Sequence, residues 1–149
     1  MNSRRVVVLS FLFLAIDLLS KHWIDHTTLK MPYEVIENVF YIEKTYNRGA
    51  AFSMFTGGTF LFIIVAFVAL FFAFRYSMYD INHLIGFVGD SMLMGGILGN
   101  LINRLLYGNV LDFLSFRYGD FLFPIFNFAD VFICLGIAFM ILDNVRGVI

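Results

Sequence analysis

Two aspartates could do chemistry together: Asp112 in "GNVLDF" and Asp130 in "FNFADVFI". Both stand at the edge of long apolar runs. A carboxylate at the rim of a bilayer is costly to keep unless something there uses it. Held close in a partly apolar site, two carboxyls cannot both ionise easily, so they share one proton. The ionised partner can activate water. The protonated one can donate to a scissile carbonyl and later to the leaving amine. That chemistry is hydrolysis by an acid–base pair. Asp130 also has an ordinary reading, because Asn127-x-x-Asp130 resembles a capping box and an acidic residue suits a first helical turn.

Other polar residues sit near the ends of the same apolar runs. Asp17 and Lys21 are four apart, so they share a helix face and can pair. Such a pair either neutralises itself near the interface, with Lys21 snorkelling, or supports a site facing the bundle interior. Asn47-Arg48-Gly49-Ala50-Ala51 follows a β-prone stretch, Val39 to Tyr46, expected to form short strands. In it, Gly49 and Ala51 let another backbone approach closely, and Asn47 offers donor and acceptor. The alternative is an ordinary turn. Asn100 and Arg104 share a face, and Arg104, which cannot lose its charge, needs carboxylate or carbonyl partners at that depth. Gly95 and Gly99 form a GxxxG pattern, the mark of a close helix–helix contact.

These residues need elements to hold them, and the composition says which kind. Of 149 residues, 60% are hydrophobic and 14% charged, with 20 Phe. Soluble domains run at roughly 45–50% apolar and about 25% charged, so the chain belongs with membrane proteins. Net charge is −1, which leaves no basic footprint for nucleic acid. The single cysteine, Cys134, excludes an internal disulfide or a cysteine-based zinc cluster. His22, His26 and His83 show no metal-ligand spacing, so neither metal nor cofactor is expected.

Four apolar segments can each cross a bilayer: about residues 6–24, 59–76, 83–106 and 127–145. No linker divides the chain, which reads as a single transmembrane domain over 1–149. The first segment follows Arg4 and Arg5 like a secretory leader. It lacks a small-residue cleavage site, and Asp17 and Lys21 interrupt it, so it reads as an uncleaved span. Parity puts the connection over 25–58 and the connection over 107–126 on one face and the short 77–82 turn on the other. Arg4 and Arg5 favour a cytoplasmic N-terminus. The crowded face is then extracytoplasmic, although the raw count of basic residues does not favour that choice. The connection over 107–126 is rich in aromatics and reads as a loop along the lipid interface. Its ends return to one face, so Asp112 and Asp130 can meet.

At this point the chain resembles the lipoprotein signal peptidase (signal peptidase II) family, bacterial membrane aspartyl proteases. The motifs are Asp17 and Lys21, "NRGAAFSMF" at 47–55, "GGILGNLINR" at 95–104, "GNVLDF" at 108–113 and "FPIFNFADVFI" at 123–133. The resemblance implies an all-α integral membrane fold: four transmembrane helices, a small extracytoplasmic β-cradle and a short interfacial helix. It implies Asp112 and Asp130 as the catalytic dyad, with Asn47, Asn100, Arg104 and Asn127 lining or bracing the site. It implies a prolipoprotein substrate whose cysteine already carries diacylglycerol, cut just before that cysteine. A monomer among membrane lipids, in the cytoplasmic (inner) membrane with its site at the extracytoplasmic face, completes the expectation. Lys21, Arg48 and Arg104 would then be site residues rather than topology signals.

Two departures stand out. The family reads Gly-Asn-x-x-Asp-Arg at the end of span three, and here the acid is Asn103. Asp90 lies deep inside the third span at a position the family does not explain. Two rivals remain open. In a small channel or transporter, Asp17, Asp90 and Arg104 would mark an ion path. In a non-catalytic scaffold, Asp130 would be only a cap. The channel explains Asp90 better, but not the gathering of polar motifs at one face.

Overall fold

The computed structural model describes residues 3–49, 58–79 and 83–148. Among the described residues, four helices are long and apolar enough to cross a membrane. They are α1 (Ser3–His26), α2 (Thr59–Tyr79), α3 (Leu84–Tyr107) and α4 (Phe128–Val148). The 24 residues of α1 and of α3 reach about 36 Å, enough for a hydrocarbon core of about 30 Å. Their outward faces are apolar: Phe60, Phe67, Phe71 and Phe72 on α2 are all exposed. Lipid is the solvent that makes such a surface stable.

The helix α3 is the centre of the bundle and packs on each of the other three. Small residues allow it. A Cβ on Gly95 would fall 2.7 Å from the Ser10 carbonyl oxygen of α1, and one on Gly99 would overlap the Asp17 carboxylate. The GxxxG pattern therefore seats α1 on α3 and makes room for Asp17. A cluster of Val6, Ala73 and Met94 ties α1, α2 and α3 together toward the other end.

The strands among the described residues lie in the connections at one end of the bundle, between α1 and α2 and between α3 and α4. They are β1 (Tyr33–Ile36), β2 (Phe40–Asn47), β3 (Val110–Tyr118) and β4 (Phe121–Leu122). The order is β1-β2-β3-β4, antiparallel throughout. The strand expected near Val39–Tyr46 is β2. The connection over 107–126, expected as an interfacial loop, is instead mostly strand. Its Val, Leu, Phe and Tyr residues suit a pleated, half-buried surface, and β2 supplies the partner edge. No short helix occurs among the described residues outside the four spans. Ala51 and the rest of 50–57 lie outside the described residues.

Asp90 is fully buried, and neither carboxylate oxygen has a hydrogen-bond partner among the described residues. It takes no part in the polar network at the far end of α3. Asp90→Asn keeps the shape and removes the ionisable group. The variant should melt no lower than the parent and keep the parental activity. A loss of activity greater than about tenfold, roughly 1.4 kcal/mol, would instead tie Asp90 to function.

Candidate functional site

The first requirement is to bring Asp112 and Asp130 together, and backbone pairing does it. Leu114 and Phe126 exchange hydrogen bonds, Leu114 N to Phe126 O at 2.8 Å and Phe126 N to Leu114 O at 3.1 Å. This clamps the segment before α4 alongside β3. Asp112 lies two residues before the clamp on β3, and Asn127 directly after it. Behind β3, Leu111 and Phe113 pack on Ile24 of α1, with Phe128 of α4 alongside. Successive strand residues face opposite sides, so this packing turns Asp112 the other way, into the bundle end.

Asn127 joins the two aspartates. Its Nδ2 donates to Asp112 Oδ1 at 2.6 Å, and its backbone N–H donates to Asp130 Oδ2 at 3.1 Å. In return the Asp130 backbone N–H donates to Asn127 Oδ1 at 3.1 Å. That reciprocity is a capping box. Asp130 is thus a helix cap, and it is also more: its Oδ1 accepts from Asn100 Nδ2 at 2.8 Å. Asp112 Oδ2 accepts from Asn47 Nδ2 at 2.9 Å. Gly49 fixes Asn47 by donating its backbone N–H to Asn47 Oδ1 at 2.9 Å.

A charged pair backs the asparagines. Lys21 Nζ donates to Asp17 Oδ2 at 2.7 Å and to Asn100 Oδ1 at 2.8 Å. Asp17 is 0% exposed and Lys21 4%, so Lys21 does not snorkel and the pair faces inward. The other Asp17 oxygen accepts the Ala129 backbone N–H at 2.9 Å, one residue before Asp130. The chain Asp17–Lys21–Asn100–Asp130 therefore links α1, α3 and α4. Asn127 Nδ2 also reaches Asn100 Oδ1 at 3.2 Å, which closes the network.

Arg104 behaves differently from expectation. It makes no ion pair among the described residues. Its guanidinium lies over the Phe62 ring of α2, 5.0 Å from the centroid, so an aromatic face takes the place of the expected carboxylate or carbonyl. Asn103 is buried but outside the network, lining a groove on the opposite flank. Sequence reasoning missed Phe62, the Ala129 N–H and Thr59, whose single hydroxyl hydrogen lies within reach of Gly108 O at 3.0 Å and Arg48 O at 3.2 Å. A backbone donor carries no side-chain signature, and Phe62 is one of many span phenylalanines.

Burial pushes the Asp112 carboxyl up to about 6, with the Asp130 charge adding to the rise and the Asn47 and Asn127 hydrogen bonds and Lys21 opposing it. The folded protein keeps this proton up to about 6, whereas the unfolded chain releases it near 3.8. The associated stability is present below about pH 4 and is lost as pH rises through 6, at a cost on the order of 3 kcal/mol. Asn at this position carries no such dependence. Thermal melts should therefore show the Asp112→Asn variant gaining on the parent between about pH 4.5 and about pH 7.5. A gap that stays constant with pH would contradict this.

A family model described as Signal peptidase (SPase) II matches residues 9–146. The lipoprotein signal peptidase of Neisseria meningitidis serogroup C (strain 053442) is 39% identical over 115 residues, covering 74% of this chain and 70% of that protein. The lipoprotein signal peptidase of Clostridioides difficile (strain 630) is 35% identical over 136 residues, covering 90% of each. A solved bacterial membrane enzyme, determined by the in meso method, superimposes with a TM-score of 0.83 at 30% identity, covering 95% of this chain and 88% of that one.

Proposed function

The chain belongs to the signal peptidase II family, and from that membership we propose that Asp112 and Asp130 are its catalytic pair. It is a multi-pass bacterial membrane protease with the activity of a lipoprotein signal peptidase. Its substrate is a prolipoprotein carrying diacylglycerol on the cysteine that follows the scissile bond. The observation that carries the two-aspartate reading is Asn127, a single residue hydrogen-bonded to both carboxyl groups.

With one proton between them, one carboxylate takes a proton from water, and the water oxygen attacks the scissile carbonyl carbon. The other carboxyl donates its proton to the carbonyl oxygen. As the tetrahedral intermediate collapses, a proton passes to the amine of the lipidated cysteine and the carbon–nitrogen bond breaks. Asn47 and Asn127 hold Asp112, and Asn100 and Asn127 hold Asp130, so neither carboxyl must reorient during the reaction. Arg104 and Lys21 supply nearby positive charge. No step calls for a metal or cofactor.

The site stands at the end of the spans, where a signal-peptide helix and acyl chains can remain in lipid while the scissile bond reaches the aspartates. Arg4 and Arg5 at the opposite end support the reading that it faces the extracytoplasmic side. A monomer suffices for this chemistry, since the aspartates and their asparagine partners all lie in the one chain. Diacylglycerol acts as a positioning anchor, so the unlipidated precursor should be cut at least about tenfold more slowly than the lipidated one. Parallel gel-shift time courses on the two precursors read this ratio, and equal rates would overturn the anchoring role.

A further inference from the structure

On the flank away from the aspartates, α1 and α3 leave a groove of about 820 Å³. Tyr46 and Leu111 line it, while their strand neighbours Asn47 and Asp112 face the site. Leu18, Leu19 and Ile102 form its deeper walls, with Asp25 near its outer end. Trp23 and Tyr107, on the helices that form the two walls, are 58% and 69% exposed. Exposed aromatics of this kind mark the headgroup level of a bilayer. From Leu18 to Asp25 the helix rises about 10 Å, so the groove runs from that level into the acyl region.

Charges of both signs stand together at its outer rim. The Asp25 carboxylate accepts the Tyr46 hydroxyl at 2.5 Å. The Lys44 ammonium donates to the Asp25 carbonyl oxygen at 3.0 Å and to the Thr27 carbonyl oxygen at 3.4 Å. Neither charge is used in an ion pair among the described residues. A largely aliphatic slot, with Lys21 and Asn103 on its inner wall and His22 and His26 on the α1 side, topped by a carboxylate and an ammonium, complements a lipid whose headgroup carries an ammonium and a phosphate.

We propose that the α1–α3 groove binds one zwitterionic phospholipid of the surrounding leaflet, its ammonium on Asp25, its phosphate on Lys44 and an acyl chain along Leu18, Leu19 and Ile102. The inner wall of the groove includes Lys21, which bonds Asn100, so the bound lipid abuts the support of the site without touching the aspartates.

The test is native mass spectrometry of the full chain, released from dodecyl maltoside after addition of dioleoyl-phosphatidylethanolamine or dioleoyl-phosphatidylglycerol. One equivalent of phosphatidylethanolamine should be retained, with a preference of about fivefold or more over phosphatidylglycerol, the scale of one exposed ion-pair contact. Asp25→Asn and Lys44→Gln should each bring the two lipids close to parity. Asp25 is exposed and Lys44 half-buried, so either variant can carry the test if the other fails to fold. Equal retention of the two lipids by the parent, or an unchanged preference in a folded variant, would overturn the proposal.

Discussion

Asp112→Asn should lower the rate of prolipoprotein cleavage by about three orders of magnitude, the scale of a lost acid–base group. It should do so without unfolding the protein. Asp112 is 4% exposed and accepts two amide hydrogen bonds, from Asn47 and Asn127. An asparagine there keeps one acceptor and turns its own amide toward the other donor, a loss of about 1 kcal/mol. Against that, the variant no longer ionises a buried carboxyl at neutral pH, which is worth more. The expected result is a protein that melts at or above the parental temperature at neutral pH and does not cleave. Single-turnover rates and melts on the same preparation separate this outcome from simple misfolding. A variant that loses activity only in proportion to lost folded protein would contradict a chemical role for Asp112.

Lys21→Met should have the largest effect on stability. It leaves Asp17, with no exposure, against Gly99 with its counter-charge gone. Breaking a buried pair from one side typically costs about 3–5 kcal/mol, because an uncompensated charge remains. Removing the other charge as well should restore most of it. In the double variant Asp17→Asn/Lys21→Met, Asn at 17 can still accept the Ala129 N–H through its side-chain oxygen, and neither half of the pair remains as an uncompensated charge. Denaturation of the parent, the two single variants and the double variant forms a cycle that reads the coupling directly. Additive losses, with the double variant worse than Lys21→Met, would mean that the pair is not a closed unit.

The spans were legible because a run of about 20 apolar residues needs no knowledge of its partners to be recognised. Asp112 and Asp130 were legible as carboxyls misplaced at the ends of such runs. The pairing of the 107–126 connection was not, because a strand whose first four residues are all buried, on both faces, has no period-two signature to read. Aromatic residues there, Phe113 and Phe116 among them, pointed equally well to a lipid interface. Asp17 and Lys21 were predictable as a pair but not in direction. Which way a helix face turns depends on Gly99, where the absent Cβ leaves room for the carboxylate. Asn103 keeps the position that an acid holds in the resembled family, and nothing in the network depends on it. Arg104 shows the limit most clearly, since its partner is a ring contributed by another helix far along the chain.

The central claim is that both carboxyls take part in the chemistry, and Asp130 tests it best because it is also a helix cap. Asp130→Asn retains a side-chain oxygen that can accept the Asn127 N–H, so the cap largely survives. The measurement is single-turnover cleavage of a diacylglyceryl-modified prolipoprotein by Asp130→Asn beside Asp112→Asn, each confirmed folded by its melt. Both variants should fold and neither should cleave above about a thousandth of the parental rate. If folded Asp130→Asn cleaves at close to the parental rate, Asp130 is only a cap and the two-aspartate mechanism is wrong.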